Sequence, residues 1–197
     1  MLKLNLGCGG KIYDGWVNVD KYDHYPIDIL HDLETFPYPF DDDSCNEILL
    51  SHVLEHLGRD TEVFNNIVKE LFRVCCHDAL IHIIVPHPRH DNFLSDPTHV
   101  RPINEHVIAL YDKKRNLEWE AIGAANTPLG LLLDVDLRIE EATLNVENKY
   151  RKLLADDEIT EDQLIEMIAE RNNICSEIKL VVRVNKVADD DVQFDDV

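Results

Sequence analysis

The sequence predicts an α/β fold with a mostly parallel sheet in three layers, and three observations carry that reading. Short apolar runs separated by turn residues recur through the first half of the chain, as strands do. The later runs, around Glu47-Ile48-Leu49-Leu50 and Ala79-Leu80-Ile81-His82-Ile83-Ile84-Val85, are apolar at most positions, which suits a sheet covered on both faces. Between them Val63, Phe64, Ile67, Val68, Leu71 and Val74 recur at helical spacing.

The elements follow in order. Leu2 to Leu6 is a short strand that runs into Gly7-Cys8-Gly9-Gly10, and Trp16 to Asp20 is a second strand ending on an acid. A third covers Ile27 to Leu33. Two prolines and the acidic cluster Asp41-Asp42-Asp43 make the next stretch irregular. Asn46 to Val53 is a strand, and Asp60 to Cys76 a helix with Asp60 or Thr61 as its N-cap. His77-Asp78 turns the chain into the strand Ala79 to Val85, which Pro86 stops.

Pro86 to Pro102 is polar and without period, and it follows the carboxyl end of a central strand, where open α/β sheets bind ligands. Asn104 to Leu110 is expected to be a short helix. Leu131 to Val146 holds a further strand, with Leu137, Ile139 and Leu144 as core candidates. Thr160-Glu161-Asp162-Gln163 is a capping box that opens a helix, and Ile178 to Val187 reads as the final strand. Residues 1–188 are read as one domain and the acidic residues 189–197 as a disordered tail.

Composition narrows the function. A chain of 197 residues, 45% apolar, can bury a core without disulfides. Its five scattered cysteines lack metal-binding spacing, so free thiols and a cytoplasmic location are expected. No run is long enough to span a membrane. A net charge of −20 argues against duplex nucleic acid, whose phosphates call for clustered Lys and Arg. Nothing in the sequence specifies an oligomeric state.

A strand ending in Gly-x-Gly lets a ligand approach the backbone closely. Dinucleotide sites add a third small residue and an acid about 20 residues on. Here Ile12 takes the third position, and Asp20 lies only 11 residues after Gly9, which leaves barely room for a helix. The dinucleotide reading fails on both counts.

A different family fits better. Leu4-Asn5-Leu6-Gly7-Cys8-Gly9, Gly15-Trp16-Val17-Asn18-Val19-Asp20, Asp32-Leu33, Pro39-Phe40-Asp41-Asp42 and Ser51-His52-Val53-Leu54-Glu55-His56-Leu57 stand in that order, followed by Pro86-His87-Pro88 and Asp96-Pro97-Thr98-His99-Val100-Arg101. In these residues the first half resembles the class I S-adenosylmethionine-dependent methyltransferases, in particular the methyltransferase domain 11-like group. The final strand resembles theirs more weakly. The resemblance implies a Rossmann-like methyltransferase fold whose last strand is antiparallel, and S-adenosyl-L-methionine as cofactor.

It also implies site residues. Gly7 and Gly9 would line the methionine and ribose side, and Asp20 would accept both ribose hydroxyls. Asp32, with Asp28 as the competing acid, would take the adenine amino group, and the Leu33 amide an adenine ring nitrogen. Ser51 or His52 would lie near the methionine end. The sequence departs from the family at Asn5, which replaces an acid and cannot ion-pair with the methionine ammonium but can still bond the turn. It departs again at Cys45-Asn46, in place of a Phe-Asp pair.

The histidines of the polar segment raise the question of a metal. His87, His90, Asp91, Asp96, His99 and His106 are suitable ligand types, but their spacing is not helix-borne, and solvated or hydrogen-bonded histidines are the preferred reading; no metal is assigned. Acid–base work suits the segment better. His99 or His52 could relieve the acceptor of a proton, with Asp96 orienting an imidazole or binding the acceptor. The expected function is methyl transfer to a small molecule or an exposed group. The competing readings are another transfer from the same cofactor and a non-catalytic interaction module.

Overall fold

A computed structural model describes residues 1–187. Among these, β1 (Leu2–Leu6), β2 (Val17–Asp20), β3 (Ile29–Leu30), β4 (Cys45–Ser51), β5 (Cys75–Pro86), β6 (Leu137–Val146) and β7 (Cys175–Val184) form one sheet in the order β3-β2-β1-β4-β5-β7-β6. Pairing is parallel from β3 across to β5, and β7 is antiparallel to both β5 and β6. Six strands thus run one way and β7 alone runs back, as expected. Strand order reverses between β1 and β4, which opens a crevice at their carboxyl ends.

One face of the sheet carries the core. Leu4, Leu6, Val19, Ile48, Leu50, Ile81, Ile83, Leu180 and Val182 share it through the strand register and are at most 4% exposed. Helix α1 (Thr61–Val74) adds Phe64, Ile67, Val68, Leu71 and Val74 to the same cluster, each burial contributing roughly 1.5–3 kcal/mol. Asp60 caps α1 by accepting from the Glu62 amide at 2.8 Å.

Cover is unequal on the two faces. On the other face Leu49, Leu80, His82 and Ile84 are only partly buried. Glu47 there joins Lys3 at 2.6 Å and His82 at 3.2 Å in a polar ladder across three strands. Over β1 and β2 the segment after the glycine turn replaces a helix. Buried Asn5 donates to the Lys11 carbonyl at 2.7 Å and to Asn18 Oδ1 at 2.9 Å, and Asn18 Oδ1 also accepts from the Tyr13 amide. Two buried amides are thereby satisfied without a helix above them.

Several expected bounds shift. The third strand shrinks to Ile29–Leu30, because its flanking acids are engaged elsewhere: Asp28 takes the Asn18 amide and side chain, and Asp32 turns the chain by accepting from Glu34 N. The His77-Asp78 turn lies inside β5, with Asp78 left-handed at φ 63° where the β4–β5 register shifts. Leu144 is corrected from core to surface: it sits on edge strand β6 at 39% exposure, whereas Leu137 is buried and Ile139 packs against the core. The acidic residues 189–197 lie outside the described residues.

After β5 come α2 (Asp91–Leu94), α3 (Glu105–Ala109), α4 (Lys113–Ala121) and α5 (Leu129–Leu133), and between β6 and β7 come α6 (Asn148–Ala155) and α7 (Glu161–Glu170). The capping box opens α7, with Gln163 N donating to Thr160 Oγ1 and Thr160 N to Gln163 Oε1. Helices α6 and α7 close a second small core on Leu164, Ile174 and Cys175. Arg89 ties it to the loop after β5 by donating to the carbonyls of Ile168 and Ala169, in the last turn of α7. Charge-assisted bonds to orphan carbonyls are worth about 1.5–3 kcal/mol. Arg89→Ala should therefore lower hydrogen-exchange protection of the α7 amides at least tenfold while β4 and β5 amides keep theirs.

Candidate functional site

The carboxyl ends of β1 to β4 meet around a cavity of about 380 Å³. Its wall includes Gly7, Asp20, Asp32, Leu33 and His52, five of the residues expected there, together with Tyr22, His31, Val53, His56 and Thr98. The size falls within the ordinary range for small-molecule sites. Gly7 is needed twice over: its φ is +67°, and a Cβ would stand 2.6 Å from Val53 Cγ2. At Gly9, φ is +50° and a Cβ would meet nothing within 4 Å.

Asp20 closes the glycine turn from β2. Its Oδ2 accepts the Gly9 amide at 2.8 Å and its Oδ1 the Tyr22 amide at 3.0 Å, so each oxygen keeps acceptor capacity for a ligand. Asp32 faces the same space, whereas Asp28 is held behind β2 by Asn18, whose amide and side chain keep the Asp28 carboxyl below its ordinary pKa. Of the two acids, Asp32 is the one among the lining residues. Buried His31 Nε2, on the cavity wall, has no hydrogen-bond partner among the described residues. A buried polar atom left so is unusual unless a ligand or water meets it.

Asn5, Gly9 and Ser51, also expected at the cofactor, are not among the residues that line the cavity. Asn5 braces the turn from behind, and Ser51 Oγ accepts from Lys11 Nζ at 3.4 Å.

The rest of the site is built by two segments that dock on one another. After β4 the chain turns through left-handed His52 (φ 58°) into the 3₁₀ turn Leu54–His56. The loop after β5 binds that turn, its Val100 and Arg101 amides donating to the Glu55 carbonyl at 2.8 and 3.2 Å. The Arg101 guanidinium donates to the Gly58 carbonyl at 2.6 Å and lies 4.3 Å over the Phe64 ring. Gly58 cannot be replaced cheaply, since its φ is +62° and a Cβ would stand 2.5 Å from Phe64 Cβ.

Of the three residues expected to do acid–base work, His52 lines the cavity, whereas Asp96 and His99 stand behind Thr98 and His56. His52 lies between two carboxylates, with Nδ1 3.4 Å from Glu55 Oε1 and Nε2 3.0 Å from Glu177 Oε1. Glu55 and then Glu177 raise its pKa above the ordinary value, against the lowering effect of burial. Asp96 acts through Thr98: its Oδ1 accepts the Thr98 hydroxyl at 2.6 Å and the Thr98 amide at 2.8 Å, which holds its own pKa down. His99 donates from Nδ1 to the Phe93 carbonyl at 2.8 Å and packs edge-on against His56, with ring centroids 4.6 Å apart. Sequence reasoning passed over Glu55, which is 1% exposed yet has no hydrogen bond to either carboxylate oxygen among the described residues.

The other histidines behave as hydrogen-bonded or solvated groups. His87 Nδ1 accepts from Arg89 N, and its pKa is lowered by burial and by Arg89. His90 caps α2 by accepting from Asn92 N, and the His106 side chain is 84% exposed. A larger cleft, of about 770 Å³, opens at the opposite ends of the strands. Its charged groups are paired with one another, as Arg73–Asp42, Lys113–Asp134, Arg138–Asp136 and Lys186–Asp43, so it offers few free polar groups to a ligand.

Fold and crevice together define the class I methyltransferase architecture. A methyltransferase from Archaeoglobus fulgidus, described as S-adenosylmethionine-dependent, superposes with a TM-score of 0.53 at 15% identity, over 92% of this chain and 86% of that one. YcgJ from Bacillus subtilis gives 0.51 at 14% identity, over 94% and 92%. The cyclase SpnF gives 0.50 at 11% identity, over 92% of this chain and 74% of SpnF. At such identities the likeness concerns the fold. No known sequence-family profile and no curated protein sequence matches the chain.

Proposed function

We propose that this chain is an S-adenosylmethionine-dependent methyltransferase acting on a small molecule or an exposed group. One observation carries the reading: the Asp20 carboxylate is pinned at the end of β2 by the Gly9 amide, and it faces the same cavity as Gly7, Asp32 and Leu33. An ionised carboxylate there suits a ribose diol, because it takes two hydroxyl protons in charge-assisted bonds. Asp32 and the Leu33 amide present an acceptor and a donor suited to an adenine edge. When bound, the sulfonium cofactor supplies an already activated methyl group.

The protein's remaining work is alignment and, for a protonated acceptor, removal of a proton. His52 is the imidazole at the methionine end of the cavity, with Glu177 to orient its ring. Asp96 positions rather than reacts: its Oδ1 holds Thr98, which in turn meets His56, and its Oδ2 stands 3.8 Å from His99 Nε2.

SpnF is a cyclase on a similar fold, so transfer of another kind is the second reading. Mass spectrometry of an acceptor after incubation separates the two by a gain of one methyl group.

The cofactor itself is tested by a thermal-shift panel. A ligand at 100 times its Kd stabilises the folded state by about 2.7 kcal/mol, some degrees of Tm for a domain this size. S-adenosylmethionine and S-adenosylhomocysteine should each raise Tm, and NAD should not. A shift with NAD alone would overturn the reading.

A further inference from the structure

Glu55 is a buried carboxylate with no hydrogen bond to either oxygen among the described residues. His52 Nδ1 stands 3.4 Å from one oxygen, beyond a good hydrogen bond. A carboxylate buried in this state is costly unless something else meets it. Two imidazoles stand beside it: a carboxylate oxygen of Glu55 and one nitrogen each of His56 and His99 lie within 4.8 Å of one another.

The hydrogen-bond network sets both rings for ligation. The Thr98 hydroxyl spends its proton on Asp96, so it accepts from His56 Nδ1–H at 2.9 Å. The Phe93 carbonyl can only accept, so His99 Nδ1 is also protonated. Each neutral ring is left with its lone pair on Nε2. Metal-binding histidines are held in this way, with the second nitrogen donating to a carbonyl or to a carboxylate-linked group.

We propose that Glu55, His56 and His99 bind a divalent first-row transition-metal ion beside the cavity. Two imidazoles and one carboxylate suit zinc, iron(II), cobalt(II) or manganese(II), whereas magnesium and calcium call for oxygen ligands. Metal–ligand bonds of about 2.0–2.2 Å set tetrahedral ligand atoms roughly 3.4 Å apart, so the three side chains would draw in around the ion.

The ligands come from two segments, the turn after β4 and the loop after β5, so no local spacing announces them. Arg101 holds those segments together through Gly58 and Phe64. His56 also lines the cavity, so an ion there can be reached from it, and three protein ligands leave positions for water or an acceptor atom. Such an ion would acidify and orient an acceptor hydroxyl or similar group. That role rests on the methyltransferase reading, but binding of the ion does not.

The test is cobalt(II) and zinc(II) titration of the chelator-stripped full chain, without S-adenosylmethionine. One equivalent should bind, and cobalt should shift ring N–H proton resonances of two histidines in the unmodified chain. His56→Ala, His99→Ala and Glu55→Gln should each weaken binding at least tenfold, while His106→Ala, on an exposed surface, should bind as the parent does. In the stripped state Glu55→Gln should melt no lower than the parent, since it removes a buried charge. Failure of the unmodified chain to take up either metal saturably would overturn the site. So would uptake that survives all three ligand substitutions, or cobalt-shifted signals from histidines other than these two. Binding of S-adenosylhomocysteine by the stripped chain, measured alongside, keeps failure of the metal site distinct from failure of the cofactor reading.

Discussion

Asp20→Ala should weaken binding of S-adenosylhomocysteine by roughly two to four orders of magnitude. Two hydrogen bonds to a charged acceptor are lost, each worth about 1.5–3 kcal/mol. The variant also releases the Gly9 amide, which loosens the glycine turn. Asp20→Asn keeps an acceptor for Gly9 but not the charge, so a loss of roughly tenfold is expected, between the parent and the alanine variant. Isothermal titration measures both. The carboxylate is half-buried at a strand end, so Tm should change little. A loss below threefold in Asp20→Ala would remove Asp20 from the site.

Phe64→Ala should cost about 3–5 kcal/mol of stability, the range for truncating a buried aromatic ring. Phe64 is 1% exposed; it underlies the Arg101 guanidinium and fills the space beside Gly58. The consequence reaches the site, because Arg101 joins the loop bearing Thr98 and His99 to the turn bearing Glu55 and His56. Urea unfolding should show a lower midpoint with an unchanged slope. A change below 1 kcal/mol would mean that the core does not depend on this ring.

What the sequence disclosed follows from where local chemistry dictates structure. Gly7 could be read because its backbone conformation excludes other residues, and Asp20 because it follows a short apolar strand at a telling distance from the turn. Helix α1 could be read from its apolar stripe, whereas α4, Lys113–Ala121, has no such stripe and buries only Asn116. Leu144 misled because its alternation is right but its strand lies at the sheet edge. Glu55 was illegible for a different reason. Its backbone carbonyl is met by the amides of Val100 and Arg101, over forty residues away, and a glutamate in a polar turn gives no sign of that docking.

The same contrast separates the glycine-turn side of the cavity from the side built by the two docked loops. The glycine turn, Asp20, Asp32 and Leu33 each close a strand or follow one, so their order in the chain already places them along one crevice. His52, Glu55, His56, Thr98 and His99 meet only when two loops dock. Their chemistry is set by that docking more than by any motif.

A crystal structure of the chain with S-adenosylhomocysteine tests the central claim most directly. The account predicts the nucleoside in the cavity at the ends of β1 to β4, with both ribose hydroxyls on Asp20 and the adenine edge on Asp32 and the Leu33 amide. Ligand seated elsewhere, or a ribose that leaves Asp20 unbonded, would contradict it.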